Sequence, residues 1–307
     1  MVHLRMNQGV AGVFYLPHFV ALEMGAFRDE GLVVELITSF YGRQWPLLER
    51  GEADLTIGGP MRTLRLQAEE GKRGVNFCAA VRANPWYLVA RQPEPDFTFA
   101  SLVGRTVIDF HDAETPGLCF TWLLRQHGIG PDQVTLLRGL GAQREIEAFR
   151  AGQGDYLMHS LHTAMPLVAA GEGFLVQEMA TPTGPVPWSA YAALPATLRT
   201  RRAELEAFTR GIGRALRAIA AWPAAELAAL VVRHYPIFDP PVLAEAIGRY
   251  QALGLWPRDP LLPRADLEHF QDILLTAGWI SRRVPYEDQF DTSFAEQAIA
   301  ALGPADA

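Results

Sequence analysis

The chain has 307 residues, 49% of them hydrophobic and 20% charged, with a formal net charge of −7. A single hydrophobic core stops growing near roughly 250 to 300 residues, so this length predicts two, and the balance excludes a disordered or fibrous chain. The acidic surplus excludes a nucleic-acid partner, which requires a basic surface, and no stretch reaches the ~18 apolar residues of a membrane span, so direct membrane insertion is not expected.

Lys72 is the only lysine, which restricts lysine chemistry to one residue. Cys78 and Cys119 fall in different predicted halves; they read as small buried hydrophobes that form neither a disulfide nor a metal cluster. The N-terminus lacks a basic segment followed by an apolar one. The expected compartment is therefore the periplasm if a leader has been removed, and otherwise the cytoplasm.

In chain order, residues 3–7 alternate apolar and polar and predict a strand running into a loop over 8–13. A helix over 17–24 is stopped by Gly25, and a strand follows over 32–37. Strand, helix, strand is a βαβ unit, so the sheet is expected to be mostly parallel. The pattern continues with a helix over 44–50, a strand over 54–57 and a helix over 61–70. Strands over 75–81 and 86–91 come next, and Pro93-Glu94-Pro95 marks the crossover out of the first lobe.

The second lobe opens with a glycine turn and strand over 102–110, then a helix over 116–127 with Thr115 as its cap. A strand over 134–137, a helix over 143–151, a strand over 156–159 and a helix over 164–170 complete it. The Pro/Gly-rich run 181–187 carries the chain back, and the part from Ala196 onward is helical, with 3.6-residue apolar spacing. The segments are thus a first lobe over 1–92, a second over 93–185, and a return to the first over 186–307.

One module recurs. Residues 49–64 are echoed 101 positions later by 150–162: a helix closed by glycine, an acidic turn (Gly51-Glu52-Ala53-Asp54, Gly152-Gln153-Gly154-Asp155), a short apolar strand and a polar turn. This predicts two similar α/β lobes whose strand ends face one another across a ligand cleft.

Phe14-Tyr15-Leu16-Pro17 and the run from Glu23-Met24-Gly25-Ala26-Phe27 to Gly31-Leu32-Val33-Val34-Glu35 resemble the opening of the nitrate/sulfonate/taurine-type and NMT1-like pyrimidine-precursor solute-binding proteins. The two acidic turns and Leu102-Val103-Gly104-Arg105 extend the resemblance over nearly the whole chain. It implies the type II periplasmic-binding-protein fold: α/β, two lobes, each a mostly parallel sheet flanked by helices, closing by hinge motion like a flytrap. The thiamine-pyrimidine synthases of the same superfamily place a cofactor-bearing lysine and a histidine where this chain has Gly58 and Arg62. They also carry a cysteine-rich run where it reads Gly184-Pro185-Val186-Pro187-Trp188-Ser189-Ala190, so that activity is not expected.

Three helix starts are candidate ligand contacts: the turn before Pro17, Gly58-Gly59-Pro60-Met61, and Thr115-Pro116-Gly117, each either a plain helix start or a donor to an anionic group. Gln8 opens the first loop. Phe14, Tyr15, Tyr41, Trp45, Trp86 and Trp188 are aromatic loop residues, read either as packing or as faces for a flat ring, with Gly42 allowing close backbone approach between Tyr41 and Trp45. Arg62 suits a carboxylate, sulfonate or phosphate, or is a surface charge. His111 and His159, at strand ends, are ligand contacts or structural histidines. No metal and no cofactor are expected, and Ser160 beside His159 does not make a hydrolase.

The expected function is capture of a polar or heteroaromatic small molecule between the lobes for an ABC-type importer, with the transporter permease as partner. The rivals are a cytosolic enzyme of the same fold acting on an aromatic or heterocyclic substrate, and a ligand-sensing module.

Overall fold

The computed structural model describes residues 1–9, 12–39, 43–110 and 113–303. Among these, ten strands run in chain order: β1 (Val2–Gln8), β2 (Leu32–Thr38), β3 (Leu55–Gly58), β4 (Val75–Val81), β5 (Trp86–Ala90), β6 (Thr106–Asp109), β7 (Thr135–Leu137), β8 (Tyr156–Ser160), β9 (Phe174–Glu178) and β10 (Ser189–Ala193). The chain divides into two compact units, Met1–Ala83 with Val186–Ala307, and Asn84–Pro185.

In the first unit the sheet order is β2-β1-β3-β10-β4; β1 is parallel to β2 and β3, and β10 is antiparallel to β3 and β4. In the second it is β7-β6-β8-β5-β9; β6 is parallel to β7 and β8, and β5 is antiparallel to β8 and β9. Each unit thus has a βαβ core, with the strand arriving from the other unit inserted in reverse. The register repeats too. Met6 lies opposite Leu55, and 101 positions on Val107 lies opposite Tyr156.

The turns before β3 and β8 explain this repeat. Gly51 and Gly152 sit at φ 67° and 83°, the left-handed region that glycine tolerates, and each ends a helix. Glu52 then donates its N–H to the Leu47 carbonyl at 2.9 Å, as Gln153 does to Ala148 at 3.0 Å.

Strand 86–91 was expected in the first lobe, with the crossover at Pro93-Glu94-Pro95. Instead β5 is hydrogen-bonded to β8 and β9, so the crossover falls between Ala83 and Asn84. The Asn84 side chain stabilises this break, accepting the Trp86 N–H at 3.1 Å and donating to Thr183 at 3.1 Å. Two strands were not foreseen. β9 is a half-exposed edge, and β10, Ser-Ala-Tyr-Ala-Ala, has too little β-branched character to announce a strand yet is buried at every residue.

The C-terminal segment covers the outer edge of β4. Ala79 donates to the Pro260 carbonyl at 2.9 Å and Asp291 to the Asn76 carbonyl at 2.9 Å, so that edge offers no free ladder. Helix Arg202–Ala221 lays Leu205, Phe208, Ile212, Leu216 and Ile219 inward at three- and four-residue spacing. Phe208 stacks on Phe27 with centroids 5.0 Å apart, and Arg210 and Arg214 both reach Glu30 at 2.7 Å.

Candidate functional site

Helices follow the parallel strands at their carboxyl ends, where open α/β sheets hold ligands. In the first unit β1 ends at Gln8, and the next described segment is a 3-10 turn over Val13–Tyr15 leading into helix Leu16–Glu23. Phe14 and Tyr15 are buried with rings edge to face, 4.5 Å between centroids, and Trp256 donates its indole N–H to the Phe14 carbonyl at 2.8 Å. These contacts fix the turn, so the Tyr15 hydroxyl has a defined place. It lies 3.4 Å from Ser189 Oγ at the start of β10. Burial raises the Tyr15 pKa, opposed by the Ser189 hydrogen bond and the Arg62 charge.

Arg62 is the second residue of helix Met61–Glu70, directly after β3, and its guanidinium reaches Gln44 Oε1 at 3.4 Å. His18 is fully buried, with Nε2 2.9 Å from Gln8 Oε1 and Nδ1 3.3 Å from the Tyr191 hydroxyl. Burial, with the His234 charge as a smaller contribution, pushes its pKa down to about 3, so it is neutral. The result is a shell of neutral donors beside one guanidinium. A separate open pocket of about 540 Å³, lined by Ser39, Arg43, Leu47 and Arg50 among others, lies beyond the end of β2.

In the second unit His159 ends up in an aromatic cage. Its ring stacks on Trp86 at 6.3 Å and 12° and meets Phe110 edge-on at 4.9 Å. Nδ1 accepts the Ser160 N–H at 2.9 Å, so the ring proton sits on Nε2, which faces Thr163 Oγ1 at 3.3 Å. Glu145 Oε2 is 3.9 Å away, beyond hydrogen-bond reach. Burial first and His162 second push the His159 pKa down to about 3. Asp109, last in β6 and the 101-position counterpart of Gln8, is sealed from solvent and bound by Arg138 Nε.

The structure brings Gln8 and Tyr15 around His18, sets Arg62 within electrostatic reach of Tyr15, and brings Trp86 to His159. Gly59, Pro60 and Met61 form the turn into helix Met61–Glu70, and Trp188 is buried just before β10. Thr115 is not a cap. The cap position is Ala113, and Thr115, Pro116 and Gly117 are buried inside helix Glu114–Gln126, because the extended backbone of Ala113 lets the helix begin two residues early. Trp45 turns toward Gly74, where an added Cβ would lie 2.1 Å from its ring. Tyr41, Gly42 and His111 lie outside the described residues. His18, Gln44, Ser189, Tyr191 and Arg138 were missed; the one available signal was His18, a lone polar residue in the apolar run Leu16–Ala21.

None of the three candidate helix starts carries a side-chain cap hydrogen bond, so it is their position at strand ends that marks them out. Among the described residues no helix is long and apolar enough to cross a membrane.

The chain matches the family model described as NMT1/THI5 like over residues 14–226. It is 26% identical over 304 residues to the Bacillus subtilis (strain 168) protein named "Putative binding protein YtlA", covering 98% of this chain and 91% of that one. Among solved structures, the periplasmic aliphatic sulphonate binding protein SsuA from Escherichia coli superposes with a TM-score of 0.73 at 15% identity, over 94% of this chain and 97% of that one. The desulfurization enzyme DSZB does so with 0.70 at 14%, over 99% and 100%. These likenesses show the periplasmic-binding-protein fold, two mixed sheets flanked by helices.

Proposed function

The chain belongs to the NMT1/THI5-like family, and from that membership we propose that it is a solute-binding protein of an ABC-type importer, taking a polar or heteroaromatic small molecule at its strand ends and handing it to a permease. YtlA, named a binding protein, and SsuA, named for aliphatic sulphonate, support the class. The relative named periplasmic supports an extracytoplasmic setting.

The observation that carries the reading is the chemistry around the end of β1. Gln8, Tyr15 and Arg62 supply an amide, a hydroxyl and a guanidinium, groups that grip acceptor oxygens without reacting with them. Sulfonates, carboxylates and the carbonyls of a pyrimidine present such oxygens.

The enzymatic rival has the DSZB likeness in its favour, but the two thiols and the one lysine amine are not poised as nucleophiles. Burial raises the pKa of both Cys78 and Cys119, holding them as thiols. Lys72 is exposed and paired with Glu70 at 3.0 Å, which raises its pKa and keeps the amine protonated.

A thermal-shift screen of alkanesulfonates, aromatic acids and pyrimidines tests the proposal. Binding to the folded state at 100 times Kd adds about 2.7 kcal/mol and raises Tm measurably. No rise with any of the three classes at millimolar concentration counts against it.

A further inference from the structure

Resting on the solute-binding reading, we propose that His18 is a positioning residue: Tyr191, His18 and Gln8 form a one-directional hydrogen-bond relay that presents the Gln8 side-chain amide purely as a donor, to an acceptor oxygen of the solute.

The direction follows from counting protons. The Tyr191 hydroxyl is fully buried, and among the described residues its hydrogen-bond partner is His18 Nδ1 at 3.3 Å. A buried O–H left unpaired costs about 1 to 3 kcal/mol, more than an idle lone pair, so the tyrosine donates and Nδ1 accepts. The imidazole is neutral, with its pKa pushed down to about 3 by burial, and carries one ring proton. That proton is therefore on Nε2, which donates to Gln8 Oε1 at 2.9 Å.

A flipped carboxamide would set its NH2 against the Nε2–H. The relay thus holds the Gln8 oxygen inward and turns both amide N–H groups away from the ring. The backbone is fixed as well: Gln8 ends β1, and its carbonyl accepts the Ser39 N–H at 2.9 Å. Among the described residues nothing accepts from the Gln8 amide nitrogen, although the residue is only 5% exposed. A donor pair on a residue only 5% exposed, oriented from behind and lacking a protein partner in front, is matched by a carboxylate, sulfonate or carbonyl oxygen. It disfavours a ligand that offers an N–H at the same point.

Long-range 1H–15N NMR of the ligand-free protein reads the His18 tautomer directly. The relay requires the Nε2–H form, unchanged between pH 8 and pH 5; the Nδ1–H form overturns it whatever the protein binds. Tyr191→Phe removes one hydroxyl and should turn that signal into a tautomer mixture, a response that packing alone does not produce.

Calorimetric binding of ethanesulfonate, benzoate and uracil to the wild type and to Gln8→Glu tests the second half. The near-isosteric carboxylate should weaken whichever probe binds the wild type at least tenfold, with the circular dichroism spectrum unchanged. Equal affinity overturns the role of Gln8 and leaves solute binding standing. A wild type that binds none of the three counts against solute binding and removes the role with it.

Discussion

Asp54 accepts the backbone N–H of Arg5 on Oδ2 at 2.7 Å and returns its own N–H to the Arg5 carbonyl at 2.8 Å. The same closed pair recurs 101 positions later: Asp155 takes the Thr106 N–H at 2.8 Å and donates to the Thr106 carbonyl at 2.8 Å. The acidic turn that repeats in the sequence is therefore a clasp. It ties the start of β3 to β1, and the start of β8 to β6.

The clasp predicts an acid-sensitive contribution to stability. Burial pushes the Asp54 pKa up, but the Arg5 N–H and the Arg5 and Arg201 guanidiniums outweigh it and hold the carboxyl below its ordinary value. A carboxyl depressed in the folded state stabilises above its unfolded pKa, about 4, and that stabilisation is lost as pH falls through the folded value. Asp54→Asn is expected to lower stability by about 1 to 3 kcal/mol at pH 7 and by clearly less near pH 3, read from urea denaturation at both. An equal loss at both pH values would assign the clasp's effect to shape, not charge.

Three histidines, His18 and His159 buried and His162 partly so, predict a second pH dependence, at higher pH. His18 and His159 are pushed down to about 3 and His162 to about 4, in each case first by burial. Unfolded, each titrates near 6.5, so below that the unfolded chain binds more protons than the folded one. Stability is full above pH 6.5 and declines toward pH 4, at up to about 4 kcal/mol per pH unit if all three act together. Denaturation midpoints at pH 7.5, 6 and 5 measure this; a flat profile would mean that the imidazoles reach water.

How much of this was legible follows the physics. Glycine turns, 3.6-residue apolar spacing and the acidic repeat are local signals, and they gave the βαβ order and the family. β10 was invisible because Ser-Ala-Tyr-Ala-Ala carries no strand preference; only pairing with β3 and β4 makes it a strand. His18 and Tyr191 lie 173 positions apart, so no spacing rule joins them. Gln8 and Tyr15, by contrast, were legible as residues at a strand end and a helix entry, though their partners were not.

The thiols offer a test of the inert-site reading. Burial raises both cysteine pKa values, so neither Cys78 nor Cys119 should react with a disulfide reagent in the native protein at pH 8, and both should react in denaturant. Rapid native labelling of either would reopen the enzymatic rival.

Trp45 and Gly74 separate packing from ligand contact. A Cβ at Gly74 would come within 2.1 Å of the Trp45 ring, far inside van der Waals contact, so the indole occupies the space that glycine leaves. Gly74→Ala should cost about 1 to 3 kcal/mol by displacing the ring, and Trp45→Ala should relieve most of that cost in the double variant. If Trp45 instead serves mainly the solute, Trp45→Ala should weaken probe binding with Tm nearly unchanged, and the two substitutions should add independently. The sign of the coupling in a double-mutant cycle of thermal unfolding decides between these roles, because only a shared contact makes the second substitution cheaper than the first.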